Sequence, residues 1–521
     1  MTGFLKQNLQ QLLSTVPCRW SLSGDWNNLK ITGLAMDSRQ VQPGNLFFAL
    51  PGVNTDGHAY IPQAVDRGAA GIVGEKMIAG LPVPYIQTDN ARELLGYVSA
   101  AFFGFPARNL TVIGVTGTDG KTTTSNLLFQ ILIHAGIHAG IISTVNAVIG
   151  NDTLDTGLHV TTPEAPDVQR YLARMESAGI THVILEATSH GLAQHRVTGC
   201  EFDIAVATNI THEHLDFHKT YESYRHAKSM LFRMLDATTE KMRGNPRLAV
   251  LNRDDSSYDY LKSVSGGNQR TYSLNEPADF RAENVCYTPA GLEFLICTEK
   301  YRQPVRCNLA GLYNVSNCLA AFAAAVDGVG ISPADAAEAI VSVRTIPGRM
   351  EPINLGQDFI AVVDFAHTPN ALLRALETSR QMTKGRVIAL FGSAGLRDRQ
   401  KRRLMAEVSQ KFADISILTA EDPRTESLTD ILADMASAAK KAGGREDESY
   451  FRVPDRREAI RMAVKMASPG DIVICCGKGH EQSMCFGTTE YPWDDRTALK
   501  AALSEYLGLS GPSMPTLPTT E

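Results

Sequence analysis

The 521-residue chain lacks several things, and each absence narrows what it can be. It has no long apolar run. The longest candidate, around residues 318–326, falls well short of the ~18–20 residues that a membrane-spanning helix needs. Residues 1–15 (MTGFLKQNLQQLLST) alternate leucine with polar residues and contain no apolar block or small-residue cleavage site, so no signal peptide is expected. The nine cysteines, at 18, 200, 286, 297, 307, 318, 475, 476 and 485, include no CxxC pair, and their number is odd. This excludes a zinc ribbon and a disulfide framework and suits a reduced, cytoplasmic chain. Nor is there a strong excess of one charge: 50 Lys plus Arg against 56 Asp plus Glu give a formal charge of -6. That argues against a general polyanion binder, so neither nucleic acid nor a membrane is an expected partner. No internal repeat at a fixed period is present.

What remains is an ordinary globular composition, 44% apolar and 20% charged, in a chain long enough for about three domains. Residues 1–108 mix short apolar runs with turns: a strand at 46–50, a short helix at 61–68 and a strand at 69–74 make a small α/β unit. A second unit, 109–346, opens with a strand at 110–115 (LTVIGV), a glycine-rich turn and a helix at 121–134 whose apolar residues share one face. Further strands at 183–186, 204–208 and 248–251 alternate with helical stretches, which predicts a doubly wound parallel sheet. Helices are expected at 310–329 and 333–343. From 347 to 510 the alternation restarts, with strands at 360–364, 387–391, 415–419 and 472–475. Residues 511–521 (GPSMPTLPTTE) carry three prolines and read as a disordered tail.

The segment TGTDGKTTT at 116–124 follows a strand and opens a helix, the context a phosphate-binding loop requires. Its glycines let backbone N–H groups turn toward an anion, and the helix N-terminus adds partial positive charge. Lys121 is placed to reach β/γ phosphates and the Thr122 hydroxyl to ligate Mg²⁺. The loop is a shortened variant, because the strict pattern wants glycine where Val115 stands. Glu186 ends the strand VILE, at the sheet edge where such folds bind ligands, and could hold a second Mg²⁺. The run TNITHEHLDFH at 208–218 nearly matches HxHxDH, a signature of dinuclear zinc hydrolases. One extra residue before the last histidine would turn that ligand away, and a hydrolase leaves the phosphate loop unexplained.

Together with AMDSRQVQPGNLFFALPG, DGHAYIPQAV, HVTTPEA, LEATSHGLAQHR, YRHAKSMLF, LAGLYNVSNCLAA, IPGRMEP, VVDFAHTPNAL, EDPRTE and CGKGHEQ, these segments resemble the Mur ligases. The resemblance runs from about residue 35 to 507. The phosphate loop alone would also fit the related folylpolyglutamate synthetases, whereas SHGLAQHR, HTP and GKGHE are more selective. The resemblance implies an α/β fold of three domains. A central P-loop ATPase with a doubly wound parallel sheet is flanked by an N-terminal α/β UDP-binding domain and a C-terminal Rossmann-like domain that brings the amino acid. It implies an ATP-dependent carboxylate–amine ligase of peptidoglycan biosynthesis, forming ADP and phosphate. The chain is most similar to the branch that adds a diamino acid to UDP-N-acetylmuramoyl-L-alanyl-D-glutamate through an acyl phosphate. Such chemistry demands that crowded anions be neutralised and held in line. A monomer acting on small molecules is expected.

By the same resemblance, Lys121, Glu186, His214 and Lys228 are the catalytic residues. Thr122, Glu186, His214 and a carbamylated Lys228 hold Mg²⁺. Gly117, Thr118, Asp119, Gly120, Lys121, Thr122, Thr123, Asn209, Asn314, Arg349, Asp364 and His367 contact ATP. Ser38, Asp56, Gly57 and His58 match uridine-side positions, and Thr161, Thr162, Ser189, Gln194 and Arg196 match contacts to the sugar-dipeptide. Arg397, Glu421, Asp422, Arg424, Gly477 and Glu481 match the amino-acid pocket. There the sequence departs from the pattern, with Glu421-Asp422-Pro423-Arg424 where diaminopimelate-adding enzymes carry Asp-Asn-Pro-Arg. Arg424 and Arg397 suit the distal carboxylate of meso-diaminopimelate. Asp422 would repel that carboxylate and attract the lone ammonium of lysine or ornithine, a contact of order ~4 kcal/mol at 4 Å before desolvation.

Overall fold

The computed structural model describes the chain apart from residues 1–6, 27, 53–54, 151, 155–160, 212–214, 289–290 and 519–521. Three sheets follow one another along the chain. The first has five strands, in the order Trp20–Ser23, Tyr85–Thr88, Gly71–Gly74, Asn45–Phe48 and Gly33–Ala35. All pairs are parallel except the first. The helix Ala91–Phe102, capped by the Asn90 side chain, buries Leu94, Leu95 and Val98 against it.

The middle sheet has eleven strands among the described residues. Its centre is a parallel core: the predicted strands, now His182–Glu186, Thr111–Thr116, Ile204–Ala207 and Leu248–Asn252, lie side by side in register, joined by two the sequence reading missed, Ala139–Ile142 and Asn268–Ser273. The first five are covered on both faces, which is why they read as nearly continuous apolar runs, whereas Asn268–Ser273 (NQRTYS) is polar and only partly buried. Thr111–Thr116 lies between the strands ending at Glu186 and at Ala207, so its carboxyl end opens at the middle of the sheet. The helix Lys121–His134 starts there and buries Leu127, Leu128, Ile131 and Leu132.

The edges of this sheet depart from the expected all-parallel architecture. A hairpin, Ala147–Ile149 with Asp152–Leu154, adds to one edge in antiparallel fashion. Gly291–Cys297 and Arg302–Cys307 extend the other: Gly291–Cys297 runs antiparallel to Phe280–Thr288, and Arg302–Cys307 antiparallel to Gly291–Cys297. The expected helix at 310–329 begins only at Tyr313, and after Ala323 it loosens into a π-helical turn over Ala324–Val329.

The third sheet runs Glu351–Pro352, Ile360–Asp364, Ile472–Cys476, Val387–Phe391, Ile415–Leu418 and Tyr450–Arg452, parallel but for its first strand. A hairpin of Ser483–Phe486 and Thr489–Pro492 follows. Beneath the sheet the fully buried Arg456 pairs with both oxygens of Asp495 at 2.8 and 2.6 Å and donates to the carbonyls of Ala420 and Cys476. It therefore ties together the ends of two strands from which the loops at 421–424 and 477–481 depart. The tail corrects an expectation. As far as residue 518 it is placed on the domain, with Leu517 only 4% exposed in the core and Met514 packed beside it. Its prolines favour an extended path, and two apolar anchors hold that path down. All nine cysteines are free thiols; Cys286 is exposed, Cys18 half-buried and the others buried. Among the described residues no helix is long and apolar enough to cross a membrane.

Candidate functional site

The glycine-rich turn between Thr111–Thr116 and Lys121–His134 is held from two sides. The Thr118 amide donates to the Asn209 carbonyl at 2.6 Å, and the Asp119 amide donates to Asn209 Oδ1 at 3.0 Å. Thr208 Oγ1 donates to the Asp119 carbonyl at 2.6 Å. Gly117 (φ 151°) passes so close to the neighbouring strand end that a Cβ would lie 1.8 Å from Thr208 Oγ1. Gly120 (φ 81°) leaves no room against Asn317 Oδ1. Asn317 is in turn held by Asn314, whose own amide donates to the Ala310 carbonyl. Lys121 Nζ rests on the Thr118 carbonyl at 2.7 Å, half-buried at the first position of its helix.

Three charged or polar groups converge beside this loop. Arg349 Nη2 donates to Thr122 Oγ1 at 3.1 Å, and Thr122 Oγ1 donates to the Glu186 carboxylate at 3.0 and 3.1 Å. The Thr144 amide donates to the same carboxylate at 3.0 Å. Glu186 is 1% exposed. Arg349 belongs to the linker ahead of the third sheet, lies over the Phe365 ring at 4.5 Å, and keeps a buried Nε without a protein acceptor. Asn370 Nδ2 reaches Asp119 Oδ2 at 3.1 Å, a second link from the C-terminal unit to the loop. Asp364 accepts the Met350 and Ala366 amides, so it shapes the strand end as a cap does; burial raises its pKa. His367 is neutral, its pKa lowered to about 3 by burial.

Lys228 is buried on the helix Tyr221–Ala237. Its Nζ donates to the Gly117 carbonyl at 2.5 Å and lies 4.7 Å above the Tyr224 ring, while the Tyr224 hydroxyl meets Thr118 Oγ1 at 2.9 Å. His214 lies outside the described residues, as does the rest of the HEH run.

A cavity of about 1800 Å³ runs from the glycine-rich loop to the third sheet. Its wall includes Thr118, Asp119, Gly120, Lys121, Thr122, Thr123, Glu186, Asn209 and Asn314 from the middle unit. From the C-terminal unit come Arg349, Asp364, His367, Arg397, Glu421, Asp422, Arg424, Gly477 and Glu481. The two predicted groups, phosphate side and amino-acid side, therefore share one space. Thr161 also lines it. Thr162, Ser189, Gln194 and Arg196 sit together nearby but do not line it. Arg196 donates to the Thr162 carbonyl and to Gln194 and pairs with Glu164 at 2.8 Å; its Nε and Ser189 Oγ are buried without partners. Ser38, Asp56, Gly57 and His58 are elsewhere, on the N-terminal unit. There Ser38 bonds Gln63, and Asp56 bonds His58 and Lys76, whose ammonium holds the Asp56 carboxyl well below its usual range.

At the amino-acid end, Asp422 (φ 40°) and Arg424 (φ 54°) are both left-handed, and the loop is stitched to the hairpin strand Ser483–Phe486 through Arg424 N to the Cys485 carbonyl. Asp422 is not an unbalanced charge. Its Oδ1 accepts Lys478 Nζ at 2.9 Å and the Cys485 amide at 3.0 Å. Lys478, wholly buried, also pairs with Glu481 at 2.6 Å. Glu421 is buried with Oε2 unpartnered, and burial raises its pKa to about 7. Sequence reasoning passed over Lys478, Thr144, Asn370 and Phe365. Lys478 had a signal as the second residue of GKGHE, and Phe365 and Asn370 lay within VVDFAHTPNAL; Thr144 had none.

Three family models cover the chain in order: Mur ligase family, catalytic domain (residues 30–103), Mur ligase middle domain (115–325) and Mur ligase, glutamate ligase domain (348–479). The chain is 42% identical over 497 residues to the UDP-N-acetylmuramoyl-L-alanyl-D-glutamate--2,6-diaminopimelate ligase of Geobacillus thermodenitrificans, covering 95% of this chain and 99% of that one. It is 45% identical to the UDP-N-acetylmuramyl-tripeptide synthetase of Roseiflexus sp., covering 93% and 96%. A solved UDP-N-acetylmuramoyl-L-alanyl-D-glutamate--2,6-diaminopimelate ligase superposes with a TM-score of 0.66 at 29% identity, over 96% of this chain and all of that one. The folylpolyglutamate synthase of Mycobacterium tuberculosis, at 13% identity and a TM-score of 0.59 over 80% and 96%, shares the fold. The glycine-rich loop, the buried carboxylate beside it and these full-length likenesses agree: the chain belongs to the Mur ligase family.

Proposed function

We propose that this chain is the ATP-dependent ligase that joins meso-diaminopimelate to UDP-N-acetylmuramoyl-L-alanyl-D-glutamate, with release of ADP and phosphate. The observation that carries the reading is the single cavity that holds the Arg349–Thr122–Glu186 chain at one end and Arg397, Arg424 and Glu481 at the other. Residues 1–108 would bind the UDP end, 109–346 the ATP and 347–510 the amino acid. The protein would act as a cytoplasmic monomer on small molecules.

The phosphate loop binds the triphosphate, with Lys121 swinging from the Thr118 carbonyl to the β/γ oxygens. Arg349, its Nε lacking a protein acceptor, adds positive charge where the terminal phosphoryl group passes to the dipeptide carboxylate. The amine of the incoming amino acid then displaces phosphate from the acyl phosphate. Arg397 and Arg424 orient that amino acid through its carboxylate ends and Glu481 through an ammonium. Thr122 and Glu186 are hard oxygen donors facing each other at the loop and fit Mg²⁺. With His214, the further ligand that the resemblance implies, they would leave the remaining positions of a cation to phosphate and water. Bound Mg²⁺ would offset phosphate charge. A carbamate on Lys228 would turn a buried cation beside Gly117 into an anion able to help hold a second cation. Its signature is partial rescue of Lys228→Ala turnover by formate or acetate; no rescue by either contradicts it.

The test is ADP release by the purified chain with ATP, Mg²⁺ and the UDP-dipeptide, adding meso-diaminopimelate, L-lysine or L-ornithine singly. Release at least tenfold faster with meso-diaminopimelate is expected. Refusal of all three removes the assignment.

A further inference from the structure

We propose that His480 is a catalytic residue that takes the proton of the incoming amine as that amine attacks the acyl phosphate. The inference rests on the ligase reading above and deepens it by assigning the proton step.

The coupling step needs a base. An amino acid arrives as an ammonium, which has no lone pair with which to attack. While the C–N bond forms and the C–O bond to phosphate breaks, the nitrogen sheds two protons and keeps one. Phosphate leaves with the electron pair of the broken bond and carries one proton away as hydrogen phosphate. The other proton requires an acceptor beside the carbonyl carbon. Lys121 and Arg349 supply positive charge there and cannot accept it.

His480 is placed for the task. It lines the cavity and is only 7% exposed. It lies on the loop after Ile472–Cys476, next to Glu481, the residue proposed to hold an ammonium. Its ring, however, belongs to the phosphate end. It lies 5.0 Å from the Phe365 ring, over which Arg349 sits at 4.5 Å. It also bonds to the backbone of Thr144, whose amide holds Glu186. The loop is pressed against the linker, where a Cβ on Gly348 would lie 2.2 Å from the His480 amide nitrogen. His480 thus stands where the two ends of the cavity meet.

The ring has the form that a base needs. Its bond to Thr144 raises its pKa, so the ring donates and the carbonyl accepts. Nδ1 is buried without a hydrogen-bond partner among the described residues. The donor is therefore Nε2–H, and the lone pair sits on Nδ1. An unpaired buried nitrogen is a cost that a space-filling residue would avoid. Three charged groups bear on the ring: Arg349 of the linker, Arg496 of the helix Asp495–Leu507, itself paired with Asp494, and Glu481. Burial and the two arginines lower the pKa to about 3 against Glu481, so the ring is neutral before substrates bind. A phosphoryl group at Arg349 would cancel the push of that arginine and favour an imidazolium. The base therefore strengthens once the acyl phosphate is in place.

The test compares the wild type with His480→Gln, each given ATP, Mg²⁺ and the UDP-dipeptide. Hydroxylamine is a free base near neutral pH and traps the acyl phosphate unaided, so hydroxamate reports the phosphoryl step alone. His480→Gln is expected to form hydroxamate within about threefold of the wild type. With saturating meso-diaminopimelate at pH 7 it should form amide at least ~10²-fold more slowly. That deficit should shrink about tenfold per pH unit toward pH 9, as free amine replaces the missing base. A deficit that ignores pH, a fall in hydroxamate as large as that in amide, or amide formation slowed less than about tenfold overturns the inference. If His480→Gln does not fold, the wild type decides. Its single-turnover transfer to bound amino acid should vary less than about threefold from pH 7 to pH 9, and a rise of about tenfold per unit overturns the inference. A wild type that forms neither hydroxamate nor amide removes the ligase reading and this inference with it.

Discussion

Lys121, the proposed ligand of the triphosphate, does little for the fold. Its ammonium donates to the Thr118 carbonyl within its own loop, and it is half-buried at a helix start. Lys121→Ala should therefore keep its far-UV circular dichroism and lose at least ~10²-fold in ADP release, the scale on which a single electrostatic contact to a transition state acts. A dinuclear hydrolase working through HEHLDFH would ignore the change, so undiminished turnover in this variant would count for that rival. Glu421 behaves in the opposite way, because its burial is costly. Its pKa rises from 4.5 to about 7, chiefly by desolvation. The folded state thus holds this proton more tightly than the unfolded chain. The associated stability is complete below pH 4.5, declines as pH rises, and is gone above about 7, a loss of about 3 kcal/mol. Melting at pH 5 and pH 8 should show the wild type losing stability relative to Glu421→Gln across that interval. Parallel behaviour of the two proteins would rule the titration out.

At the scale of elements, the buried Arg456–Asp495 pair fixes where two strands end, and so where the loops at 421–424 and 477–481 begin. Arg456→Met would strand a buried carboxylate. A loss of about 3–5 kcal/mol in urea unfolding is expected, larger than any surface ion pair of the chain would cause. The same scale shows what the sequence could disclose. Ile360–Asp364, Val387–Phe391 and the helix Lys121–His134 lie where their apolar runs and glycine punctuation predict. Strands buried on both faces announce themselves by composition alone. The antiparallel extension from Phe280 to Cys307 was not legible. Several of its positions alternate with exposed polar residues, and a register shift between Glu283 and Cys286 breaks the period. In the site, the glycines were legible because backbone geometry demands them, and Lys121 because it opens the helix directly after them. Asp422 was legible only as a charge, since its partner lies 56 residues on and meets it through the fold.

For the whole molecule, the middle and C-terminal units meet across one cavity. Arg349 and Asn370 reach the glycine-rich loop from the C-terminal side, so the proposed amino-acid end cannot be displaced without disturbing the proposed phosphate end. The tail belongs to this scale too. Ending the chain after residue 510 removes Leu517 from the C-terminal core, and a loss of about 1.5–3 kcal/mol is expected from the area exposed. Calorimetry of the shortened chain checks it, and an unchanged melting temperature would mean that the tail adds nothing.

The pattern of thiol burial has a practical outcome. Cys286 stands alone as the exposed sulfhydryl, on Phe280–Thr288, the third strand from one end of the middle sheet, with Cys18 half-covered and the rest enclosed. A maleimide dye applied briefly to the native protein should therefore mark Cys286 first. A fluorophore placed there, paired with one on a cysteine engineered into the C-terminal unit, would report domain movement by energy transfer while the wild-type thiols stay in place.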